Sequence, residues 1–155
     1  MKPYKVRRSK IDNLGLYAAK DIKSGSKIIE YKGKVITRKE AEENPKYDND
    51  KAIYLFNLNK RYDLDGDFKF NTARLINHSC NPNCEVDIID NEIWISSIKR
   101  IKKGAELFYN YGYPFDTDFV DHICKCGSRN CVGYILSDND WPKLKKELKK
   151  NRGKL

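Results

Sequence analysis

Short stretches in which apolar and polar residues alternate recur along the chain, and this pattern predicts β-strands. Five stretches show the alternation or the β-branched content typical of strands, and they cover residues 27–31, 34–37, 53–58, 85–89 and 92–98. Asp90 and Asn91 separate the last two, and both residue types tolerate the positive φ angles of a tight hairpin turn. The pattern therefore predicts a mostly β chain, β-rich within the α+β class.

Helix signals occur at two places. Thr37 and Glu40 have the spacing of a capping box, which predicts a short helix that Pro45 ends. Near the carboxyl end, Asp140 is placed to cap a second helix with Pro142 in its first turn. The apolar face of that helix would consist of Trp141, Leu144 and Leu148.

A weak internal similarity relates residues 20–33 to residues 99–112. Each copy reads as a turn followed by a strand, with a glycine at Gly25 in the first and Gly104 in the second. Two copies are too few for a solenoid, so they predict two similar ribbons in one β-rich domain. The length of 155 residues also fits a single domain.

The net charge of +9 is distributed unevenly. Residues 1–10 carry +5 and residues 141–155 carry +6, whereas residues 11–140 carry −2. Because basic surfaces attract nucleic acid, contact with DNA or a nucleosome is expected only at the two basic termini. The sequence lacks an apolar run of about 20 residues and a secretory signal. We therefore expect an intracellular protein that makes no membrane contact.

One segment has many polar residues directly after an apolar stretch: ARLINHSCNPNCEV, residues 73–86. Asn, Ser and Pro often do no more than build turns, which accounts for Asn81 and Pro82. Turn formation does not explain as well why Asn77, His78 and Cys80 directly follow an apolar stretch, which would place them at the edge of a hydrophobic core. The segment is a candidate functional site, with local turn formation as the alternative.

Three cysteines, Cys124, Cys126 and Cys131, lie within eight residues. Thiolates at this spacing resemble part of a tetrahedral zinc site that needs a fourth ligand. Buried free thiols or disulfides are the alternatives. The remaining Cys and His candidates for the fourth ligand are Cys80, Cys84, His78 and His122.

Tyr109, Tyr111 and Tyr113 alternate with other residues in the segment ELFYNYGYPF, residues 106–115. Alternate residues of a strand share one face, so the pattern predicts three hydroxyl groups on one side. Tyrosine is also common in sheets for structural reasons alone. The tyrosine strand therefore supports a functional site only in combination with other motifs.

The combination is specific. NHSCNPNC, ELFYNYGY and CKCGSRNC, in this order after NLGLYAA and EYKG, closely resemble the SET-domain protein lysine methyltransferases that carry a post-SET zinc module. The resemblance runs from about Arg7 to Ile135. It implies a SET-domain fold of short sheets with a pseudoknot-like active site in residues 1–118, with its core at about 5–112. A post-SET zinc module at 119–136 and a basic C-terminal helix or tail at 137–155 would follow.

The resemblance also implies an activity: transfer of a methyl group from S-adenosylmethionine to a lysine side chain, with S-adenosylhomocysteine as product. In this interpretation Tyr111 is the catalytic tyrosine, which positions the reacting groups. Tyr109 stands where relatives carry Tyr or Phe, and a Tyr there implies mainly monomethylation. Tyr31 matches an aromatic residue near the lysine channel. Lysine is protonated near neutral pH, and an aromatic channel beside a sulfonium lowers its pKa, so no strong general base is required.

The same resemblance assigns residues to the cofactor and to zinc. Those expected to bind S-adenosylmethionine are Asp12, Asn13, Leu14, Gly15, Tyr54, Asn77, His78, Tyr111 and Ile135. Those expected to bind Zn²⁺ are Cys80, Cys124, Cys126 and Cys131. Cys84 is then the odd cysteine, a small buried apolar residue. Asn13 replaces a loop glycine of the family, but asparagine tolerates left-handed backbone. Asn110 replaces the usual aspartate beside the catalytic tyrosine.

The substrate implied is a lysine-containing protein, a histone tail first, which would place the protein at chromatin in the nucleus of its own cell or of a host. The acidic segment 63–67, DLDGD, lacks the ligand order of a calcium loop and is expected to form a solvated turn. With Glu40, Glu42 and Glu43 it could form an acidic rim that attracts a basic peptide. The alternative function is a non-catalytic zinc-containing module that binds chromatin or nucleic acid.

Overall fold

The computed structural model describes residues 1–48 and 54–152. Within these ranges the chain forms ten short strands: β1 Tyr4–Arg8, β2 Leu14–Ala18, β3 Lys27–Tyr31, β4 Lys34–Thr37, β5 Leu55–Asn57, β6 Tyr62–Asp65, β7 Asn77–His78, β8 Cys84–Ile89, β9 Glu92–Ser97 and β10 Phe108–Tyr109. Two α-helices accompany them, α1 Arg38–Glu43 and α2 Trp141–Arg152. The described part of the chain is therefore mostly β, as predicted.

The strands form four small sheets instead of one large one. Strands β1 and β2 pair antiparallel, as do the strands of the three-stranded sheets β3-β9-β8 and β4-β6-β5. Strands β7 and β10 form the one parallel pair recorded among the described residues. The sheets contribute to one shared hydrophobic core, whose fully buried members include Leu16, Ile76, Ile95 and Leu107.

Several predicted elements are confirmed at their expected positions. Asp90 and Asn91 have φ angles of 50° and 63°, as the hairpin between β8 and β9 requires. The predicted strand at 53–58 is shorter, because β5 begins at Leu55; residue 53 lies outside the described residues. The internal similarity corresponds to two turns that pair with each other. The N–H of Ile22 donates to the carbonyl of Ile101 at 2.8 Å, and Ile101 reciprocates at 2.9 Å.

Helix α1 begins as predicted, because the Thr37 hydroxyl accepts a hydrogen bond from the Glu40 N–H. Helix α2 docks on the domain through Leu144, which is buried, while Trp141 and Leu148 are half-buried. The expected cap of this helix differs. The Asp140 carboxylate accepts hydrogen bonds from the Phe115 N–H and the Lys143 ammonium, not from a backbone N–H of the first helical turn.

The acidic segment 63–67 is not the solvated turn that its composition suggested. Asp63 and Asp65 belong to β6 and are only 7% and 3% exposed. Asp65 can be buried because its carboxylate accepts hydrogen bonds from Lys46 Nζ and the Tyr47 hydroxyl. Both donors lie well before Asp65 in the sequence. Burial raises the pKa of Asp65, but these bonds outweigh it and hold the pKa below its ordinary value.

Within the described residues, the structure has no helix that is both long and apolar enough to cross a membrane.

Candidate functional site

The candidate site forms where β7 and β10 lie side by side. Asn77 pairs with Phe108 and His78 with Tyr109, and the Ser79 N–H donates to the Tyr109 carbonyl. Both strands are only two residues long, so the chain leaves the sheet on either side of the pairing. This arrangement brings the polar NHSC segment and the tyrosine-rich segment together, as the two motifs led us to expect.

The three tyrosines form one aromatic group, although the regular strand ends at Tyr109. The ring centroids of Tyr109 and Tyr111 are 5.0 Å apart, and those of Tyr111 and Tyr113 are 5.8 Å apart. The prediction of one continuous strand is therefore wrong beyond Tyr109. The prediction that the three side chains face one site is confirmed, because all three line the same cavity.

The Tyr111 hydroxyl has a defined role as a donor. It donates to the backbone carbonyl of Ile76 at 2.8 Å, so its lone pairs remain available as acceptors. Burial raises the pKa of Tyr111 well above its ordinary value. The phenol is consequently neutral at physiological pH and is suited to orient a reacting group, not to remove a proton.

His78 holds Tyr111 from the other side. Its Nδ1 accepts a hydrogen bond from the Tyr111 N–H at 3.1 Å, and its Nε2 lies 3.7 Å from the Cys80 sulfur. Burial lowers the pKa of His78 to about 4, so the imidazole is neutral near pH 7. His78 therefore connects the tyrosine segment with a cysteine cluster.

Asn77 anchors the loop before β2. Its side-chain Nδ2 donates to the Leu14 carbonyl at 3.1 Å and lies 3.4 Å from the Asp12 carbonyl. The loop turns at Asn13, whose φ of 32° is left-handed, so the expected replacement of a glycine by asparagine is accommodated. Asn77 Nδ2 also donates to Oε1 of Glu106 at 3.1 Å.

Glu106 is a site residue that the sequence reasoning missed. Its Oε2 accepts a hydrogen bond from the Tyr17 hydroxyl at 2.8 Å, while its Oε1 accepts from Asn77. A Cβ atom at Gly15 would collide with that carboxylate, so any other residue at this position would force the Glu106 side chain to move. Glu106 is the first residue of the tyrosine segment 106–115, but nothing in the local sequence indicates its contacts with Tyr17 and Asn77.

A cavity of about 480 Å³ lies between the loop and the tyrosines. Nine residues expected at the site line it: Asp12, Asn13, Leu14, Tyr31, Tyr54, Asn77, Tyr109, Tyr111 and Ile135. Tyr113 lines it too, as the alternation of the tyrosines predicted, and among the described residues Arg74, Leu75 and His122 line it without having been expected there. Two expected residues, Gly15 and His78, are not among those that line it. His78 instead lines an adjoining cavity of about 260 Å³ with Ile11, Asp12, Asn77, Tyr111, Ile123, Cys124, Lys125 and Ile135.

Tyr31 and Arg74 add aromatic and cationic character to the larger cavity. The Tyr31 hydroxyl donates to the Tyr54 carbonyl at 3.1 Å, and its ring packs 4.5 Å from that of Phe56. The Arg74 guanidinium lies 5.4 Å from the Tyr54 ring centroid. The cavity thus combines a polar loop, an aromatic wall and a cation, which suits a ligand with both an aromatic and a zwitterionic part.

The four expected cysteines, Cys80, Cys124, Cys126 and Cys131, form one cluster. Their sulfur atoms all lie within 4.8 Å of one another, and Cys80 Sγ is 3.8 Å from Cys124 Sγ and 3.9 Å from Cys131 Sγ. A tetrahedral zinc site with Zn–S bonds of about 2.3 Å has sulfur atoms about 3.8 Å apart. The donor set and its spacing therefore fit Zn²⁺.

The pKa shifts of the cluster thiols differ in direction: burial raises the pKa of Cys80 to about 11 and also raises that of Cys124, whereas the pKa of Cys126 is lowered. Burial acts to raise the pKa of Cys126, but hydrogen bonds from Ser128 and from backbone N–H groups lower it to about 6. One ligand is thus easily deprotonated before any metal binds. Cys84 stays apart from the cluster, as expected: it is 1% exposed, and burial raises the pKa of its thiol to about 12.

Comparison with known proteins agrees with this geometry. The family model described as "SET domain" matches residues 13–112. The chain is 39% identical over 132 residues to human "Histone-lysine N-methyltransferase 2D". The aligned region covers 81% of the chain and 2% of the relative. The chain is 36% identical over 136 residues to Drosophila melanogaster "Histone-lysine N-methyltransferase trithorax", covering 84% of the chain and 4% of the relative.

A third similar protein comes from Aspergillus fumigatus and is named "Histone-lysine N-methyltransferase, H3 lysine-4 specific". The two are 35% identical over 142 residues, or 86% of the chain and 11% of the relative. The chain thus spans only a small fraction of the length of each of these relatives. The region matched by the SET-domain model contains the NHSC segment together with Tyr109 and Tyr111, and it ends before Tyr113.

Proposed function

The chain belongs to the SET-domain family, and from this premise we propose that it is a protein-lysine N-methyltransferase that transfers a methyl group from S-adenosylmethionine to a lysine side chain, chiefly once per lysine. The observation that carries the proposal is the single cavity shared by the loop held by Asn77 and the tyrosines Tyr109 and Tyr111. A histone is the proposed substrate, because similar proteins bear that name.

The reaction needs a neutral lysine nitrogen, although lysine in water has a pKa of about 10.4. Desolvation among Tyr31, Tyr109 and Tyr111 disfavours the ammonium form, so the proton leaves to solvent before transfer. The nitrogen lone pair would then form a bond to the methyl carbon of S-adenosylmethionine, and the bond from that carbon to the sulfonium sulfur would break. Bound S-adenosylmethionine supplies this activated methyl group.

Tyr111 is the proposed catalytic residue. Because its hydroxyl proton is committed to the Ile76 carbonyl, the oxygen presents lone pairs that can accept a hydrogen bond from the lysine nitrogen. Its contacts with His78 fix the ring and the backbone. Loss of the hydroxyl removes this alignment and leaves the cavity otherwise intact.

Tyr109 is the proposed determinant of product degree. It is 6% exposed, and its ring lies between those of Tyr111 and Phe56. Burial raises the pKa of Tyr109 well above its ordinary value, so the hydroxyl stays protonated. The hydroxyl occupies space that a second methyl group on the nitrogen would need. Monomethylation is therefore the proposed main outcome.

The cofactor is proposed to lie against the loop 12–15 and Asn77. Arg74 gives the cavity a cation for the carboxylate of its amino-acid part. Tyr54 offers an aromatic ring and Ile135 an aliphatic side chain for the adenine, and His78 supports the site by accepting a hydrogen bond from the Tyr111 N–H. Gly15 contributes by allowing Glu106 to approach the loop.

The proposed domain division follows from these roles. Residues 1–118 form the SET domain, with a core of about 5–112; residues 119–136 form a post-SET module, and residues 137–155 form a basic helix or tail. Zn²⁺ bound by Cys80 and the three cysteines of the post-SET module would tie that module to the site.

The basic termini are proposed to contact DNA or a nucleosome, which places the protein at chromatin in the nucleus of its own cell or of a host. Removing helix α2 is a poor test because Leu144 is buried against the domain. Reversing the charge of exposed lysines is better. It should reduce transfer to nucleosomes more than transfer to a free peptide, and the lysines to change are Lys145, Lys146, Lys149 and Lys150.

The experiment that tests the function measures transfer of radiolabelled methyl groups from S-adenosylmethionine to purified histones and to other basic proteins. Wild-type protein should label lysine, and Tyr111→Phe should reduce the rate by about 100-fold, the scale expected when reacting groups lose alignment. Tyr62→Phe, at an exposed tyrosine on β6, is the matched control and should leave the rate unchanged. Binding to DNA without transfer to any protein would favour the non-catalytic alternative.

A further inference from the structure

A second cavity, of about 520 Å³, shares Tyr113 and His122 with the tyrosine cavity. We call it the acidic cavity because, among the described residues, five carboxylate side chains line it and Arg38 is the one Arg or Lys that does. The carboxylates are those of Glu42, Asp48, Asp63, Asp116 and Asp118. None of the residues of the loop 12–15 lines it. The acidic cavity is therefore next to the proposed reaction site but apart from the proposed cofactor loop.

One of these carboxylates is buried without a hydrogen bond. The Asp63 side chain is only 9% exposed, and its nearest cation, Arg38 Nη2, is 3.7 Å away, beyond hydrogen-bond length. Within residues 1–48 and 54–152, no hydrogen bond to this carboxylate is present. Arg38 Nη2 donates instead to the Asn59 carbonyl at 2.8 Å, and Arg38 Nε is buried without a partner.

The oxygens of the Asp63 carboxylate are not sealed from the cavity, but the side chain has lost most of its hydration and no described group donates a hydrogen bond in its place, which is energetically unfavourable. The pKa of Asp63 is raised above its ordinary value. Burial is the main cause and the charge of Glu42 adds to it, although the charge of Arg38 acts to lower the pKa. Asp65, two residues along the same strand, shows the usual solution, since Lys46 and Tyr47 satisfy its carboxylate. Asp63 has no such donors, and it faces a cavity large enough for a ligand.

We propose that the acidic cavity binds an arginine side chain of the substrate, at a position near the lysine that is methylated. This inference rests on the proposed function, since it names what accompanies the target lysine. A guanidinium carries several donors in one plane and can bond Asp63 and Glu42 together, whereas an ammonium is a point charge. The apolar stem of arginine has Leu55, Tyr113 and Pro114 to pack against.

The shared residues explain how one peptide reaches both cavities. Tyr113 and His122 line the acidic cavity and the tyrosine cavity, and their rings meet edge to face at 4.9 Å. A peptide lying across these two rings would place its target lysine among the tyrosines and a neighbouring side chain in the acidic cavity. The substrate class is therefore a peptide with an arginine close to its target lysine.

The test uses nine-residue peptides with a central lysine, alanine and serine elsewhere, and one arginine moved through every other position. A matched set replaces the arginine by citrulline, which has the same shape without the charge, and a third set by lysine. Binding is measured by fluorescence anisotropy in the presence of S-adenosylhomocysteine, and methyl transfer is measured in parallel. We expect one arginine position, or two adjacent ones, to bind about tenfold more tightly than citrulline, as for a charged hydrogen-bonded pair, and lysine to gain less.

Three variants locate the effect. Asp63→Asn should remove the preference for arginine over citrulline, and Glu42→Gln should reduce it by severalfold. Glu42 is exposed, so the second variant folds even if the first is destabilised. Glu85→Gln, an exposed change of the same kind on β8, is the control and should keep the full preference.

The outcomes separate this inference from the proposed function. Equal binding of arginine and citrulline at every position would overturn the inference, and so would an equal loss in Glu85→Gln and Glu42→Gln, which would indicate only general charge attraction. An arginine preference that depends on Asp63, found without methyl transfer, would support the acidic cavity as a guanidinium site and contradict the proposed reaction.

Discussion

Removal of the metal should weaken cofactor binding, although none of the cysteines is proposed to touch the reacting atoms. The structure supplies the connection. Cys80 lies two residues after His78, whose imidazole holds the Tyr111 N–H. On the other side of the cluster, Cys124 lines the smaller cavity together with Ile123 and Ile135. Without metal, the segment that carries these last residues loses its attachment to the site.

The size of the effect follows from the surface that the segment contributes. Full burial of an isoleucine side chain is worth about 1.5–3 kcal/mol. Ile123 is 63% exposed and Ile135 is half-buried, so each should contribute about half of that to a bound cofactor. Their combined loss, about 1.5–3 kcal/mol, corresponds to a Kd for the cofactor that rises about 10- to 150-fold.

The assay compares two single cysteine variants. Cys131→Ala removes one ligand of the cluster, whereas Cys84→Ala removes a buried thiol outside it. Zinc content is measured by atomic emission and the Kd of S-adenosylhomocysteine by calorimetry. Cys131→Ala should lose zinc and bind weakly, while Cys84→Ala should keep zinc and the wild-type Kd despite lower thermal stability. A zinc-free Cys131→Ala protein with the wild-type Kd would refute the coupling.

Three further predictions concern single side chains. Tyr109→Phe should let second and third methyl groups accumulate on the same lysine, as mass spectrometry would detect; an unchanged product ratio would contradict the role of that hydroxyl. Glu106→Gln should weaken cofactor binding about 5- to 30-fold, since charge-assisted bonds are worth about 1–2 kcal/mol more than neutral ones, with a smaller change in kcat; the reverse pattern would oppose a positioning role. The pKa of Asp65 is lower in the folded protein than in the unfolded chain. Asp65 therefore stabilises the fold at pH values above the ordinary carboxyl pKa of about 3.9, and this stabilisation is lost as the pH falls below that value. Asp65→Asn should therefore flatten the acid limb of a denaturation series, and an unchanged limb would count against the burial argument.

Local chemistry made much of the fold predictable. Asp90 and Asn91 tolerate positive φ angles, and this predicted the hairpin between β8 and β9. The spacing of Thr37 and Glu40 predicted the start of helix α1. These features depend on residues close together in the chain, so sequence reasoning reaches them directly. The cysteine cluster was predictable to three ligands from spacing alone, and family resemblance supplied Cys80.

Contacts between distant residues were not predictable. Asp65 appeared to be a solvated acid because its partner Lys46 lies 19 residues away. Glu106 was missed because its partner Tyr17 is 89 residues away in the sequence, although the two residues form an antiparallel bridge in the fold. Arg74 lies inside the NHSC segment quoted from the sequence, but only the folded chain shows it beside the Tyr54 ring. Each error has the same origin, a polar group whose burial is balanced by a remote partner.

The most direct test of the central claim is a product analysis by mass spectrometry. Purified zinc-loaded protein is incubated with S-adenosylmethionine that carries a deuterated methyl group and with purified histones. We expect one labelled methyl group on a lysine side-chain nitrogen with the wild-type chain, and almost none with Tyr111→Phe. The central claim would be contradicted if protein that binds the cofactor labelled no lysine, or if Tyr111→Phe labelled lysine at the wild-type rate.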